Sequence, residues 1–370
     1  MKIVVISDSF KGSLSSSDII AIAQSTIPKY FPDCEIVGLP VADGGEGTVD
    51  CFLKALDGKK VETMVTGPLG EQVCAYFGLF GTTAVIEMAQ TAGLPLVGEQ
   101  KDPSLTTTYG VGEQIAFAIR AGATNIVLGL GGSATHDGGC GAAAALGVKF
   151  LDQDGVSFIP TGATLDRVVS VDSSQVKKTL KGVDIQVICD IDNPACGENG
   201  AAAIFAPQKG ADSQMVQELD EKLFHLVSLF PNREELLSLE GGGAAGGFGV
   251  GAVVFLGAKL RAGIEVVLDH LDFTTHLQDC DLVITGEGCM DGQSMRGKVP
   301  IGVAHRAKDA GVPVVAIVGV LGAGSENVYD HGICAIFPTN RLALPFEKVI
   351  PRAKEDYRAT LGDVMTILKL

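Results

Sequence analysis

The sequence predicts an α/β fold of two domains, a Rossmann/flavodoxin-like parallel-sheet domain interrupted by a mixed α+β domain. Three observations predict it. Apolar β-branched runs alternate with helically spaced segments at both ends of the chain. Strand-like runs joined by turns, without helix between them, break that rhythm in the middle. And 370 residues, 46% hydrophobic and only 19% charged, suffice for about two cores.

Residues 3–6 form a β-branched strand, and residues 18–27 place Ile19, Ile22, Ala23 and Ile27 at helical spacing. A second strand, 35–39, stops at Pro40; after a glycine-rich loop, Val49, Phe52, Leu53 and Leu56 mark another helix. This βαβα order implies a parallel sheet. Residues 61–66, 73–79 and 83–88 are strand runs separated by Gly-Pro and Gly-Thr turns, a meander that opens the second domain. A helix over 107–121 and a strand over 125–130 restore the parallel texture. A hairpin (148–151 and 156–159), a buried strand (184–189) and a helix over 213–230 then lead to Gly241-Gly242-Gly243. Strands at 281–285, 313–318 and 333–337, a helix at 299–310 and a terminal helix from Glu347 repeat the opening rhythm. The expected division is therefore 1–60, 105–145 and 265–370 for the parallel-sheet domain, and 61–104 and 146–264 for the inserted one.

Forty-four acidic against 28 basic side chains leave a net charge of −16, which argues against a nucleic-acid binder. The longest apolar run, around residues 312–321, is about half the ~20 residues of a membrane span. The N-terminal apolar stretch meets Asp8 at once, so neither export nor insertion is expected. Nine cysteines, with no Cys-x-x-Cys pair and several inside apolar runs, read as reduced thiols and point to the cytoplasm. The expected partners are small molecules, with no nucleic acid and no membrane; a homodimer is left open.

In open parallel sheets, ligands sit where strands end and helix N-termini begin. Asp8-Ser9-Phe10-Lys11-Gly12-Ser13 follows the first strand; its serines suit helix capping, whereas Asp8 and Lys11 are candidate functional groups. Asp43-Gly44-Gly45-Glu46-Gly47 offers Asp43 and Glu46 to magnesium or to sugar-like hydroxyls, or else simply supports a helix dipole. Gly129-Leu130-Gly131-Gly132-Ser133-Ala134 contains G-x-G-x-x-A, but the acid about 20 residues on, Asp154, lies in a hairpin turn and not at a parallel strand end. A phosphate-binding turn of Gly131, Gly132 and Ser133, with Asp137 beside it, is the reading kept. Gly241, Gly243 and Gly246 also fit G-x-G-x-x-G, after a helix, where close backbone packing is the blander account. Gly292 to Lys298 misses a P-loop by one residue, Val299 standing where Ser or Thr would be. The whole connection 286–298 nevertheless holds Glu287, Asp291, Arg296 and Lys298, acids for a metal and cations for phosphates, or a mobile mixed-charge loop. Asp190 and Asn193 end a buried strand, and Lys209 precedes a helix; with them the expected site lies in the interdomain cleft.

Seven ordered blocks give these loops a common source: DSFKGS at residue 8, DGGEGT at 43, GLGGSATHDGG at 129, DIDNP at 190, PQKGA at 207, GAAGG at 243 and LVITGEGCMDGQSMRGK at 282. The chain resembles the type-1 glycerate kinase family, also called glycerate 2-kinases, over nearly its whole length. It departs mildly, with His136 where the family is usually written with Asn and Ser294 where it has Thr. The resemblance implies ATP- and Mg²⁺-dependent phosphorylation of D-glycerate to 2-phosphoglycerate on a two-domain α/β fold. Physical reasoning assigns Glu287 and Asp291 to Mg²⁺, and Lys298 with the Gly131–Ser133 turn to phosphates. Lys11, Lys209 or Arg296 are left for the substrate carboxylate, and Asp190 serves as base. The competing readings are an NAD-linked oxidoreductase of a small hydroxy acid and a non-catalytic two-domain solute binder.

Overall fold

The computed structural model describes residues 1–41, 48–292, 294–295, 297–342 and 344–370, and all their side chains except those of Cys51, Lys54 and Ala55. The strands, in chain order, are β1 (Lys2–Val5), β2 (Glu35–Gly38), β3 (Lys59–Thr66), β4 (Gln72–Phe80), β5 (Thr83–Glu87), β6 (Asn125–Gly129), β7 (Lys149–Leu151) and β8 (Ser157–Phe158). There follow β9 (Ser170–Asp172), β10 (Asp184–Ile188), β11 (Lys259–Arg261), β12 (Leu282–Thr285), β13 (Cys289–Met290), β14 (Val314–Val318), β15 (Val320–Leu321) and β16 (Ile333–Pro338). The chain divides into two compact units, one of Met1–Asp43, Lys54–Leu56 and Ala262–Leu370, the other of Gly44–Leu53 and Asp57–Arg261.

In the first unit β2, β1, β12, β14 and β16 form one sheet in that order, every neighbouring pair parallel. Counted within this unit the order is 2-1-3-4-5, the flavodoxin-like arrangement, and the winding reverses between β1 and β12. Ile3, Val4 and Val5 are fully buried, as are Val283 and Ile284 and almost all of β14. A parallel strand covered on both faces must be apolar on both, so these runs are continuous and not alternating. Helix Ser16–Thr26 buries Ile19, Ile22 and Ala23 with Tyr357, Leu361 and Met365 of helix Ala353–Leu368. A capping box starts it: Asp18 N–H donates to Ser15 Oγ at 3.1 Å and Ser15 N–H to Asp18 Oδ2 at 3.2 Å. Helix Val299–Asp309 has Pro300 in its first turn, where a missing N–H costs nothing.

The second unit's main sheet runs β11-β10-β6-β5-β4-β3. From β11 to β5 the pairing is parallel, and β5-β4-β3 is antiparallel. Sheet order therefore follows chain order without a reversal. Residues 105–145 were expected with the chain's ends; instead they supply β6, which pairs with β5 on one side and β10 on the other. Helix Thr48–Ala55, also expected there, has the N–H of Val49 bound to Glu87 at the tip of β5 at 2.6 Å, and through Leu53 it belongs to the second unit. An apolar β–α rhythm fits either parallel sheet, so local sequence does not say which sheet a strand joins. The meander is likewise the antiparallel edge of this sheet, while β8, β7 and β9 form a small antiparallel sheet of their own. Ile86, Ile126, Leu128 and Val187 meet Ile115, Phe150, Phe248 and Phe255 in its core. Among the described residues no helix is long and apolar enough to cross a membrane, and the cysteines are free thiols.

Candidate active site

In the first unit the tips of β1 and β12 leave the sheet at the reversal. The backbone locks them together: Asp8 N–H donates to the Gly286 carbonyl at 2.9 Å, and Ser7 Oγ donates to the same oxygen at 3.0 Å. A Cβ on Gly286 would stand 1.8 Å from the Ile317 carbonyl, so only glycine lets β12 pass β14 at this point. Asp8 is half-buried, one carboxylate oxygen accepting from Ser9 N–H at 2.7 Å, and Lys11 is exposed on the following turn.

Glu287 comes next and is 4% exposed. Lys298 Nζ donates to its Oε2 at 3.3 Å, whereas Oε1 has no partner among the described residues. Burial pushes its carboxyl up, opposed by the Ser294 hydroxyl and the Lys298 ammonium. Asp291 lies at the end of β13, which pairs parallel with β15. Ser294 is fully buried; Asp291 N–H donates to its Oγ at 3.1 Å and its own N–H donates to the Asp291 carbonyl at 3.0 Å. Lys298 is the N-cap residue of helix Val299–Asp309. An orphaned buried oxygen on Glu287 with the Asp291 carboxylate close along the chain is an all-oxygen donor set that fits a hard cation such as Mg²⁺. Arg296 and, at the end of the β2 connection, Asp43 and Glu46 lie outside the described residues.

The second unit holds the other candidates on the loops after β6 and β10 and, for Lys209, on the turn Pro207–Lys209. Asp137 is fully buried and its carboxylate is saturated. Oδ2 accepts from Thr108 N–H and Oγ1, both at 2.8 Å, and from Gly141 N–H at 3.1 Å, while Oδ1 accepts from Gly139 N–H at 3.0 Å. These bonds shape the loop after β6. On that loop Gly132 takes φ 73°, and its carbonyl accepts from Leu94 N–H at 2.9 Å. Lys209, 2% exposed, donates to Ser133 Oγ at 2.9 Å and to the Thr135 carbonyl at 2.7 Å. Burial pushes Lys209 down to about 7, against the pull of Asp137. His136 falls to about 3, from burial first and the Lys209 charge second, so it is a neutral imidazole.

Asp190 is exposed just past β10. Asn193 donates from Nδ2 to the Asn199 carbonyl at 2.9 Å, and its own carbonyl accepts from Gly243 N–H at 3.0 Å. The glycine run that follows packs backbone on backbone, a Cβ on Gly246 lying 2.1 Å from the Thr135 carbonyl. That is the close-packing reading of G-x-G-x-x-G. The candidates thus fall into two groups, Asp8, Lys11, Glu287, Asp291 and Lys298 in one unit and Gly131, Gly132, Ser133, Asp137, Asp190, Asn193 and Lys209 in the other. Sequence reasoning missed Glu87, Thr108 and Ser294. An acid closing the apolar run of β5 was a readable signal for Glu87; Ser294 lay within the candidate connection 286–298 but carried no assigned role, and nothing local marked Thr108, whose partner Asp137 is 29 positions away.

Charged, glycine-lined strand tips on α/β sheets define an enzyme of the kind that works on small anions. The model of the glycerate kinase family matches residues 3–369. The chain is 44% identical to the glycerate kinase of Bacillus subtilis, over 100% of this chain and 98% of that one. It is 46% identical to the glycerate 2-kinase of Escherichia coli, over 91% and 90%. Among solved structures, a glycerate kinase 2 from Salmonella typhimurium superposes with a TM-score of 0.87 at 43% identity, covering 100% of this chain and 98% of that one. The chain belongs to the glycerate kinase family.

Proposed function

We propose that the chain transfers the γ-phosphoryl group of ATP to a hydroxyl of D-glycerate, forming 2-phospho-D-glycerate with the help of Mg²⁺, at a site served by strand-end loops. The observation that carries this reading is Glu287, a buried acid with Lys298 on one oxygen, the other unpartnered among the described residues, and the Ser294 hydroxyl facing it, beside Asp291 at the reversal of a doubly wound sheet. Glu287 and Asp291 would hold the magnesium ion, which when bound supplies neutralisation of phosphate charge. Lys298 and the Gly131-Gly132-Ser133 turn hold phosphate oxygens, and Lys11 and Arg296 meet the glycerate carboxylate, with Asp43, Glu46 and Asn193 orienting its hydroxyls. Asp190 takes the proton of the attacking hydroxyl, assisted by Asp8 in placing the substrate. Asp137 contributes by holding the loop of Ser133, since its lone pairs are already used. The name of the Escherichia coli relative supports the 2-phosphate as product. Free thiols support a reducing cytoplasm.

ADP release measured across D-glycerate, other hydroxy acids and sugars, with and without magnesium, tests the reading, and phosphorus NMR of the product fixes the position of the phosphate. Glycerate- and magnesium-dependent ADP release with a 2-phosphate product is expected. ATP left unconsumed in the presence of glycerate would return the protein to a solute binder, and a nicotinamide requirement would make it an oxidoreductase.

A further inference from the structure

Lys209, from the turn Pro207–Lys209, is buried against the loop of Ser133. Lys209 Nζ is fixed between Ser133 Oγ at 2.9 Å and the Thr135 carbonyl at 2.7 Å, so the nitrogen is aimed at one hydroxyl. The ionisable groups facing it are Asp137 and His136, both from the loop after β6. Asp137 spends its oxygens on Thr108, Gly139 and Gly141, and His136 is uncharged. Neither locks Lys209 in its charged form through a hydrogen bond. A lysine at hydrogen-bond distance from a serine, buried so that its amine is available, is the arrangement by which lysine acts as base for a serine nucleophile.

We propose that Ser133 and Lys209 form a nucleophile–base pair, and that Ser133 Oγ accepts the γ-phosphoryl group of ATP when no alcohol substrate is present. The proposal rests on the kinase reading for its phosphoryl donor. In the step, a bond forms between Ser133 Oγ and the γ-phosphorus. The bond from that phosphorus to the bridging oxygen breaks, and ADP leaves with the electron pair. The serine proton passes to the neutral Lys209 amine, and the resulting ammonium faces the new phosphoserine. Burial holding Lys209 near 7 supplies the free amine at neutral pH without a further co-reactant.

The test incubates the full chain with magnesium and ATP in the absence of glycerate, over a pH series spanning about 7, and follows the Ser133 peptide by mass spectrometry. A gain of one HPO₃ group is expected, absent in Ser133→Ala, with a rate that rises as pH passes about 7. Lys209→Arg keeps a positive charge but cannot act as base, and it should slow labelling ~100-fold, the usual worth of a general base. Lys209→Met serves the same comparison if the arginine does not fit. Glycerate-dependent ADP release without phosphate on Ser133, or labelling unchanged in Lys209→Arg, overturns the pair and leaves the kinase reading standing. Labelling of Ser133 without glycerate-dependent ADP release keeps the pair and overturns the proposed substrate.

Discussion

The two sheets handle their charged strand tips in opposite ways. In the first unit the strand order reverses at β1, and the acid beyond β12 is buried with one oxygen unpartnered among the described residues. In the second unit the strands follow chain order, and the acid beyond β6 has four donors on its two oxygens. A saturated carboxylate builds scaffold; one with an orphaned oxygen is a costly feature of the free protein that a ligand would relieve. Asp137 and Glu287 look alike in the sequence, each an acid in a glycine-rich loop after an apolar strand, and their partners alone separate them.

The comparison breaks most visibly if both acids are replaced by their amides. Asp137→Asn puts an NH₂ group where donors already point, and should cost about 3 kcal/mol of stability, as lost hydrogen bonds to a charged group do. Urea midpoints would measure it; a midpoint within error of the parent would show that Asp137 is not scaffold. Glu287→Gln should do the reverse, lowering kcat about 100-fold, equivalent to about 2.7 kcal/mol, while the melting temperature holds or rises because a carboxylate whose ionisation burial opposes is gone. Loss of stability with turnover intact would place Glu287 in the scaffold.

A smaller effect sharpens the contrast through pH. Native Lys209 releases its proton near 7, whereas in the unfolded chain it keeps it to about 10.5, so between these values the unfolded state binds more protons and stability rises with pH. Below about 7 both states are protonated and this contribution is flat. Lys209→Met should remove the rise, seen as parallel melting temperatures at neutral and alkaline pH; a persistent rise would assign it to another group.

Much of this was readable in advance because the information is local. Apolar β-branched runs alternating with helically spaced segments meant a parallel sheet, and Asp212 N-caps helix Ser213–Ser228 where the 213–230 helix was expected to begin. Glu287, Asp291 and Lys298 were placed on one connection because they are neighbours in sequence, and strand-end position is set by the run before them. The domain boundaries were not readable to the same degree. The strand at 125–129 is as compatible with one parallel sheet as with the other until its edges meet β5 and β10.

By itself, then, the order of apolar runs, caps and glycine-rich tips determined the α/β class and the family of loops that carry charge, since periodicity and turn chemistry act over a few residues. Tertiary structure alone decided which sheet β6 joins, that Asp137 is spent on Thr108, and that Lys209 is buried against Ser133 from 76 positions away. Hydrogen-bond saturation and desolvation are properties of what surrounds a side chain in space, and residues far apart in the chain supply those surroundings.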